Sequence, residues 1–295
     1  MDLRQIRYFV TLFEEGSVTR AARRLGVVQP ALSMQIRKLE EEFRTQLFQR
    51  TARGVEPTAG AREFHRHCLA ILAGVEAASQ ALSEAGTLVT GQVTLGLMPS
   101  LAAGAVAPAL LAYARDCPAV RVTVIEAYSD DLLERLEAGS LQVAIVNGGP
   151  GLPVPAVPLS ADRLVLVARA GEGGPRPAPP VSAAELGRSR LVLPSPRQGM
   201  RRLLDRMLGE AGLALRPELE IDSLNLTLDL VSRSAFATVL PELAVRKAVA
   251  AGLVECRLIA EPAIRREVVA AYHRNRPPGL AARLLIDALR AELAT

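Results

Sequence analysis

Two short helical patterns joined by one tight turn occupy residues 17–43, and they constrain the fold more than any other stretch of the chain. The first pattern follows Ser17, a favourable helix N-cap, and stops at Gly26. Its inward positions are small or apolar, which lets a second helix approach closely: Val18, Ala21, Ala22 and Leu25. The second pattern carries an apolar stripe at helical spacing: Leu32, Ile36, Leu39 and Phe43. Together the two patterns predict a helix-turn-helix.

The face of the second helix opposite its apolar stripe carries short and polar side chains. Its members are Pro30, Ala31, Met34, Arg37, Lys38 and Glu41, with Gln29 and Ser33 on the flank. An ordinary solvated helix face would also explain this composition. In a helix-turn-helix, however, the first residues of the second helix enter the major groove of DNA. Pro30 suits a first helical turn, and the slim start would let Gln29 and Ser33 reach base edges.

The residues before this pattern and the distribution of charge agree with a DNA-binding head. A preceding helix is predicted from one shared apolar face: Leu3, Ile6, Phe9, Val10 and Phe13. The formal net charge of the chain is +4, and all of this excess lies in residues 1–66. Residues 67–295 carry equal numbers of acidic and basic side chains. A DNA-binding head needs such positive charge, because it must attract the phosphates of DNA.

These stretches resemble the LysR-type transcriptional regulators of bacteria. The resemblance is carried, in order, by "LRQIRYFV", "EEGSVTRAARRLGVVQPALSMQIRKLEEEF", "QLFQR", "GVEPTAG" and "GQVTLGL". It implies a winged helix-turn-helix over residues 1–58, with "TQLFQRTARGVEPT" as the wing and Arg53 entering the minor groove. The implied DNA-contacting residues are Thr19, Gln29, Pro30, Ala31, Ser33, Met34, Arg37, Lys38 and Arg53.

Two residues of the second helix depart from the usual pattern of that family. Val28 stands where a hydroxyl N-cap is common, so the helix lacks a side-chain cap that would contribute about 1 kcal/mol of stability. Met34 stands where an arginine is common. Methionine cannot donate two hydrogen bonds to guanine, but it can pack on a thymine methyl. We therefore expect either an altered base preference at this position or no base contact from Met34.

A long helix follows the head, and residues 59–90 are predicted to be a linker and dimerisation segment. Thr58 is a suitable N-cap, and Gly86 lies near the end. Apolar residues step alternately by three and four positions, as in a coiled-coil seam: Ala61, Phe64, Cys68, Ile71, Val75, Ala78, Leu82 and Ala85. We expect this seam to face a second copy, since readers of two half-sites act in pairs. Packing within its own chain is the alternative, and His65 and His67 are expected to be exposed beside a seam cysteine.

Strand and helix patterns alternate from residue 91 onward, which predicts an α/β domain with a parallel-rich sheet. The predicted fold class is thus α/β with a helix-rich head. The family resemblance implies that residues 91–295 form a two-lobed effector domain similar to periplasmic binding proteins. The chain would cross between lobes near residues 161 and 265. One lobe would hold residues 91–161 and 266–295, and the other residues 162–265.

Three serines follow predicted strands at or near predicted helix starts: Ser100, Ser129 and Ser195. Ligands of open α/β sheets sit at such places, so a small anion or polar molecule is expected there, although each serine could be only an N-cap. The predicted effector-binding set, raised by the family resemblance, is Ser100, Leu101, Ser129, Asn147, Ser195, Gln198, Gly199 and Met200. Asn147 stands where some aromatic-acid-responsive members have an arginine, which weakens the case for a benzoate-like carboxylate. Arg197 or Arg201 could take over that role.

The remaining features exclude other classes of protein. Three widely spaced cysteines form no disulfide framework or metal-binding spacing, and the charged N-terminus does not resemble a signal peptide. We therefore expect a cytoplasmic protein without a membrane span, metal or cofactor, and not a secreted solute-binding protein. The catalytic motifs of hydrolases, nucleotide enzymes and metalloproteases are missing, so we expect no enzyme. The expected function is effector-controlled DNA binding as a homodimer or homotetramer, in contact with RNA polymerase.

Overall fold

The computed structural model describes residues 1–51, 54–83, 88–171, 179–210, 212–260 and 263–294. The chain divides into two compact units, one built mainly on Met1–Thr87 and the other on Leu88–Glu137 and Leu141–Thr295. Among the described residues, no helix combines the length and apolar character that a bilayer crossing requires.

Within the described residues, the N-terminal unit contains four helices and a two-stranded antiparallel wing. Its elements are α1 (Leu3–Glu15), α2 (Val18–Leu25), α3 (Gln29–Phe43), β1 (Phe48–Thr51), β2 (Gly54–Pro57) and α4 (Ala59–Ser83). The predicted boundaries are confirmed, because Gly16 and Gly26 end α1 and α2 with φ angles of 57° and 67°. The Ser17 hydroxyl accepts a hydrogen bond from the backbone N–H of Arg20 and caps α2. Val28 precedes α3 without any side-chain cap, as expected.

One apolar core holds the head together. The Phe9 ring is fully buried, with centroids 5.4 Å from that of Phe48 and 4.8 Å from that of Phe64. The α3 stripe is confirmed at Leu32, Ile36 and Leu39, which are all buried. Phe43 is 46 % exposed, because it stands at the last residue of α3, at the edge of the core. These aromatic and aliphatic contacts fix the angle between α3 and the other helices.

The prediction that the α4 seam faces a second copy throughout is wrong at its beginning. Ala61 and Cys68 are buried in the core of their own head, with Phe64 packed against them. Farther along, Ile71 and Ala78 are exposed and Val75 is half-buried, while the side chains of Leu82 and Ala85 lie outside the description. A heptad pattern does not distinguish these cases, since any apolar stripe packs on whichever surface is nearest. Among the seam residues whose side chains are described, the exposed ones lie beyond residue 70: Ile71 and Ala78.

His65 is also placed differently from the prediction. It is 9 % exposed, and its imidazole stacks on the Phe13 ring with centroids 3.9 Å apart. Its Nε2 atom is buried without a hydrogen-bond partner among the described residues. Burial lowers the pKa of His65 below its ordinary 6.5, although the charge of Glu14 opposes this. His67, on the opposite side of α4, is exposed as expected.

A pH dependence of stability follows from the lowered pKa of His65. The unfolded chain binds the proton more readily, so this contribution is fully present above the ordinary pKa of 6.5 and is lost as the pH falls through the lowered folded value. We expect wild type to lose unfolding free energy between about pH 7.5 and about pH 5.5 in urea titrations. His65→Phe should flatten this dependence, whereas His67→Phe, with a side chain 71 % exposed, should not. Equal slopes in all three proteins would contradict the prediction.

The C-terminal unit is an α/β domain, and its described residues form seven helices of at least six residues. The elements up to the first crossover strand are β3 (Gly91–Leu97), α5 (Pro99–Ala102), α6 (Ala107–Asp116), β4 (Val120–Glu126), α7 (Ser129–Glu137), β5 (Val143–Asn147) and β6 (Ala156–Arg169). Those that follow are α8 (Ala183–Arg188), β7 (Val192–Leu193), α9 (Gly199–Glu210), β8 (Leu219–Glu220), α10 (Leu224–Ser232), β9 (Thr238–Pro241), α11 (Glu242–Ala250), β10 (Val254–Leu258), β11 (Arg265–Ala271) and α12 (Leu280–Leu293).

The main sheet is mixed, so the prediction of a parallel-rich sheet is wrong. Its strand order is β10-β6-β11-β5-β3-β4, with β9 also paired to β6. β3 runs parallel to β4 and β5, but β11 is antiparallel to β5 and β6, and β6 is antiparallel to β9 and β10. The two long strands β6 and β11 cross between the halves of the domain. Each therefore runs against its neighbours on both sides of the crossing.

Separate apolar cores lie on the two sides of these crossing strands. One core is formed mainly by residues 93–159 and 268–293, and two smaller cores are formed by residues 164–264. The halves approach closely beside the crossing, where a Cβ on Gly104 would lie 1.9 Å from the carbonyl oxygen of Leu243. Only glycine fits such an approach without moving backbone.

The helix expected from Ser100 to about Arg115 is two helices instead. α5 ends at Ala102 and α6 begins at Ala107, with Pro108 in its first turn. Ser100 is therefore not an N-cap, because Met98 precedes α5. Ser129 does not serve as a hydroxyl cap either. Its Oγ donates to the Met98 sulfur at 3.2 Å and accepts from the Asn147 backbone N–H at 3.3 Å.

Candidate nucleic-acid interface and effector cleft

The first turns of α3 present the predicted DNA-contacting side chains on the surface of the head. Thr19 on α2 and five residues of α3 are exposed: Gln29, Pro30, Met34, Arg37 and Lys38. Ala31 and Ser33 are half-buried on the flank of the same turns. Met34 is 51 % exposed although it is apolar, so nothing within the head covers it. Arg37 and Lys38 form no ion pair within the described residues.

Hydrogen bonds hold the wing against the helix-turn-helix. The Glu40 carboxylate on α3 accepts the backbone N–H groups of Leu47 at 2.7 Å and Phe48 at 3.2 Å. At β2, the Val55 N–H donates to the carbonyl oxygen of Gly16 at 3.0 Å. Gly54 has a φ of 132°, and a Cβ there would lie 2.6 Å from that same oxygen. The base of the wing is thus fixed beside α3, while Arg53 at its tip lies outside the described residues.

A small cavity of about 70 Å³ lies between the two halves of the C-terminal unit. Six of the eight predicted effector-binding residues line it: Ser100, Ser129, Asn147, Gln198, Gly199 and Met200. Its apolar wall is formed by Met98, Ile221, Leu224, Leu240 and three prolines. The cavity is about half the size of one that holds a benzene molecule, about 150 Å³. Two open spaces of about 590 and about 770 Å³ share lining residues with the cavity, so a larger ligand has room to extend outward from it.

Arg266 is the central polar group of the cavity, and the sequence analysis did not identify it. It lies on β11 and is 3 % exposed. Its guanidinium donates to the Asp162 carboxylate, with the shortest distance 2.8 Å. The same group donates to Ser100 Oγ at 3.0 Å and to Asn147 Oδ1 at 3.3 Å. Burial lowers the pKa of Arg266, whereas the charge of Asp162 and its hydrogen bonds raise it.

Two predicted effector-binding residues do not reach the cavity. Leu101 is fully buried in the apolar core, because α5 turns its side chain away from the cleft. Ser195 is bound to Asp222 instead. Its backbone N–H and its hydroxyl both donate to the Asp222 carboxylate, at 2.8 and 3.0 Å. It therefore positions Asp222, which does line the cavity.

The suggestion that Arg197 or Arg201 could supply a cation to the ligand is not supported. Arg201 is buried against other partners, donating to Asp205 at 2.9 Å, to Glu220 at 3.2 Å and to the Pro194 carbonyl oxygen at 3.0 Å. Arg197 is exposed on the loop before α9 and is not among the lining residues. A buried strand arginine such as Arg266 gives no local sequence signal, because its partners lie 104 to 166 residues away.

Polar contacts join the two halves across the cavity. The Tyr128 hydroxyl donates to the backbone carbonyl oxygen of Asp222. Asp130, in the first turn of α7, forms an ion pair with Arg202 of α9 at 2.9 Å. Of these four residues, Tyr128, Asp130 and Asp222 line the cavity itself. A molecule that enters between the halves must therefore bind beside these contacts or replace them.

The three cysteine thiols are poor nucleophiles. Burial raises the pKa of Cys68 to about 12 and that of Cys256 to about 11. The pKa of Cys117 is also raised, by burial and by the charge of Asp116. A thiol must ionise to attack or to be oxidised, so these cysteines are suited to packing.

Fold and site together define a class of protein: a winged helix-turn-helix head on a chain whose second unit encloses a small-molecule cleft, as in effector-controlled transcription regulators. Two family descriptions match the chain, "Bacterial regulatory helix-turn-helix protein, lysR family" over residues 3–62 and "LysR substrate binding domain" over residues 86–294. The chain therefore belongs to the LysR family of transcriptional regulators.

Curated relatives agree with this assignment. The nitrogen assimilation regulatory protein nac of Klebsiella aerogenes is 34 % identical over 248 residues, covering 83 % of this chain and 80 % of its own. Its counterpart in Escherichia coli K12 is 31 % identical over the same shares of both chains. HTH-type transcriptional regulator IlvR of Caulobacter vibrioides is 37 % identical over 166 residues, 56 % of this chain and 55 % of its own.

Solved structures show the same fold. A full-length OxyR variant from Pseudomonas aeruginosa has a TM-score of 0.77 at 23 % identity, covering 98 % of this chain and 95 % of its own. Full-length CbnR in complex with its target DNA has a TM-score of 0.67 at 21 % identity, covering 99 % of this chain and all of its own.

Proposed function

We propose that this regulator binds specific DNA sites as a homodimer or homotetramer, controlled by a small effector molecule in the cleft. The exposed start of α3 carries the proposal. It combines Gln29, Ser33 and the exposed Met34 with two cations that form no ion pair within the described part of the chain, Arg37 and Lys38. Polar groups for base edges and cations for phosphates are the two requirements of a sequence-specific reader.

Thr19, Pro30 and Ala31 complete the proposed contact surface. Thr19 at the start of α2 would contact the backbone, as first helices of such motifs do. Pro30 and Ala31 keep the end of α3 narrow enough for the major groove. Arg53 is proposed to follow the wing into the minor groove. CbnR, which shares this fold, was solved with its target DNA, and this supports DNA binding by the present chain.

A second copy is proposed to join through the distal half of α4. Ile71 and Ala78 are exposed there at the spacing of one helix face. Pairing through this segment would bury the apolar side chains that remain exposed in a single copy. It would also present two recognition helices, which fit the two half-sites of a symmetric operator.

The effector is proposed to act through the contacts that cross the cleft. A ligand shifts a conformational equilibrium only by as much as its affinity for the two states differs. Binding beside Tyr128 and Asp130 would change the contacts of these residues with Asp222 and Arg202, and so the balance between closed and open halves. We propose that this balance is transmitted to the spacing of the heads and to RNA polymerase, in the bacterial cytoplasm.

Oxidation of a thiol is a less suitable trigger for this chain. The OxyR structures share its fold, and one of them, from Corynebacterium glutamicum, contains H₂O₂. Here the raised pKa values of all three thiols oppose ionisation. A non-catalytic domain controlled by reversible ligand binding agrees better with the cavity between the halves of the C-terminal unit.

A salt titration tests the proposed DNA binding. Affinity of the purified protein for promoter duplexes should fall steeply as salt rises, because cations on α3 release counterions from the phosphates. Lys38→Gln should lower the affinity for all duplexes and reduce the slope of log affinity against log salt by about one. Lys247→Gln, an exposed cation on α11 in the other unit, is the matched control. Salt-independent binding would count against the proposal.

A binding-site selection tests the role of Met34. If its side chain packs on a thymine methyl, Met34→Arg should change the preferred base at one position of each half-site, with guanine favoured by about 1–3 kcal/mol. Ser33→Ala should weaken the preference at a neighbouring position. Identical selected sequences for wild type and Met34→Arg would remove Met34 from the base-reading set.

A further inference from the structure

One hydroxyl of the cleft is buried without a partner. Thr238 on β9 is fully buried, and its Oγ1 has no hydrogen-bond partner among the described residues. It lines the cavity together with Leu240, two residues farther along and therefore on the same face of the strand. Buried polar groups in native proteins nearly always have a partner. An orphan hydroxyl in a cavity wall therefore indicates a place for a ligand atom.

The charge in the cavity does not suit a carboxylate ligand. Arg266 is the one cationic side chain among the described lining residues, and Asp162 already neutralises it at 2.8 Å. Four of its five N–H donors are taken by Asp162, Ser100 and Asn147. Asp222 adds a carboxylate whose hydrogen-bond partner among the described residues is the neutral Ser195. An anionic ligand would thus meet a neutralised cation and a negative charge.

Three helices of at least nine residues begin at residues that line the cavity: α7, α9 and α10. The first turn of α7 contains Asp130 and Asp131, which offset its dipole, whereas the first turns of α9 and α10 contain no acidic residue. Among the described lining side chains, the two carboxylates of Asp130 and Asp222 still outnumber the one cation, Arg266. The other polar groups of the wall are neutral: Ser100, Tyr128, Ser129, Asn147, Gln198, Thr227 and Thr238.

We infer that the cleft takes a small uncharged molecule that forms a hydrogen bond with the Thr238 hydroxyl, in the class of primary amides, alcohols and ketones. The inference rests on the proposed function, in which this cleft holds the effector. The volume of about 70 Å³ limits the part enclosed to a few non-hydrogen atoms. The apolar wall around Leu240 would cover a short hydrocarbon group of the same molecule.

Acid and amide pairs of one shape test the charge preference. The full-length protein is heated with acetate or acetamide, propionate or propionamide, and benzoate or benzamide. We expect the smaller amides to raise the Tm, because a ligand of the native state stabilises by mass action, while the matching carboxylates do not. A larger shift with a carboxylate, or no shift with any amide up to tens of millimolar, would overturn the inference.

Thr238→Val tests the hydroxyl without relying on a known effector. Valine keeps the shape and removes the orphan group, so the ligand-free Tm should rise by about 2–4 °C and the amide-induced shift should be lost. Thr123→Val, at an exposed position of β4, should leave the ligand-free Tm and the amide response as in wild type. A lower ligand-free Tm in Thr238→Val would show that the hydroxyl already has a partner and would overturn the inference.

Duplex binding separates this inference from the proposed function. Wild type and the control Thr123→Val should both bind promoter DNA without added ligand, since β4 belongs to the compact unit that does not contain the head. If wild type itself fails to bind duplex DNA, the proposed function fails, and the Tm results still decide which molecules enter the cleft.

Discussion

Asp162→Asn should destabilise the C-terminal unit by about 3–5 kcal/mol, because it leaves the Arg266 guanidinium buried without its counter-charge. The two side chains are 2 % and 1 % exposed and 2.8 Å apart, so water cannot replace the lost carboxylate. Asp162 also accepts the backbone N–H of Leu243 at 3.3 Å, which links the pair to the beginning of α11. Denaturant unfolding of the full chain, followed by circular dichroism, would measure the loss.

A neighbouring ion pair provides the control. Arg163 and Glu242 are 2.9 Å apart but 48 % and 40 % exposed. Glu242→Gln should therefore cost less than about 1 kcal/mol. The double substitution Asp162→Leu with Arg266→Met should recover most of the loss, since removing both charges leaves no unpaired ion. If Asp162→Asn costs no more than Glu242→Gln, the pair is not a structural requirement of the cleft.

The DNA-binding head should lose about 2–5 kcal/mol when Leu32 is replaced by alanine. Leu32 is fully buried between α3 and the rest of the head, so the truncation leaves a cavity under the recognition helix. Small domains have only about 5–15 kcal/mol of stability in total, so a large share of the molecules would have an unfolded head. Duplex affinity should fall in parallel with the stability of the head.

Met34→Ala is the matched control on the same helix. Met34 is 51 % exposed, so its truncation should change stability by less than about 0.5 kcal/mol. The pair of substitutions separates folding from recognition: Leu32→Ala lowers binding to every duplex, whereas Met34→Ala keeps a folded head. A Leu32→Ala variant that binds duplex DNA with wild-type affinity would contradict the assignment of α3 as a recognition helix held in place by Leu32.

Local patterns predicted the head with few errors. Glycine stops, the Ser17 cap and the stripe of Leu32, Ile36 and Leu39 act within a few residues of each other, so the chain itself carries the information. The α4 seam was predicted less well, because a stripe records that a face is apolar and not which surface covers it. Ala61 and Cys68 turned inward only because the α1 core was beside them.

In the C-terminal unit, the sequence identified which loops approach the cleft but not its chemistry. Six predicted residues line the cavity: Ser100 and Ser129 were predicted from their places after strands, and the other four from the family resemblance. Leu101 does not line the cavity because adjacent side chains of α5 point about 100° apart, which directs Leu101 into the core. Ser195 does not line it because its hydroxyl donates to Asp222, which stands in the cavity wall.

By itself, then, the sequence determined most of the elements, their order along the chain and the family, and it carries the proposal that α3 reads DNA. The tertiary structure alone decided that Arg266 meets Asp162, Ser100 and Asn147, and that the Thr238 hydroxyl has no partner. The physical reason is the distance along the chain. Helix periods and caps depend on near neighbours, but a buried charge or an orphan hydroxyl depends on strands that pair across more than a hundred residues.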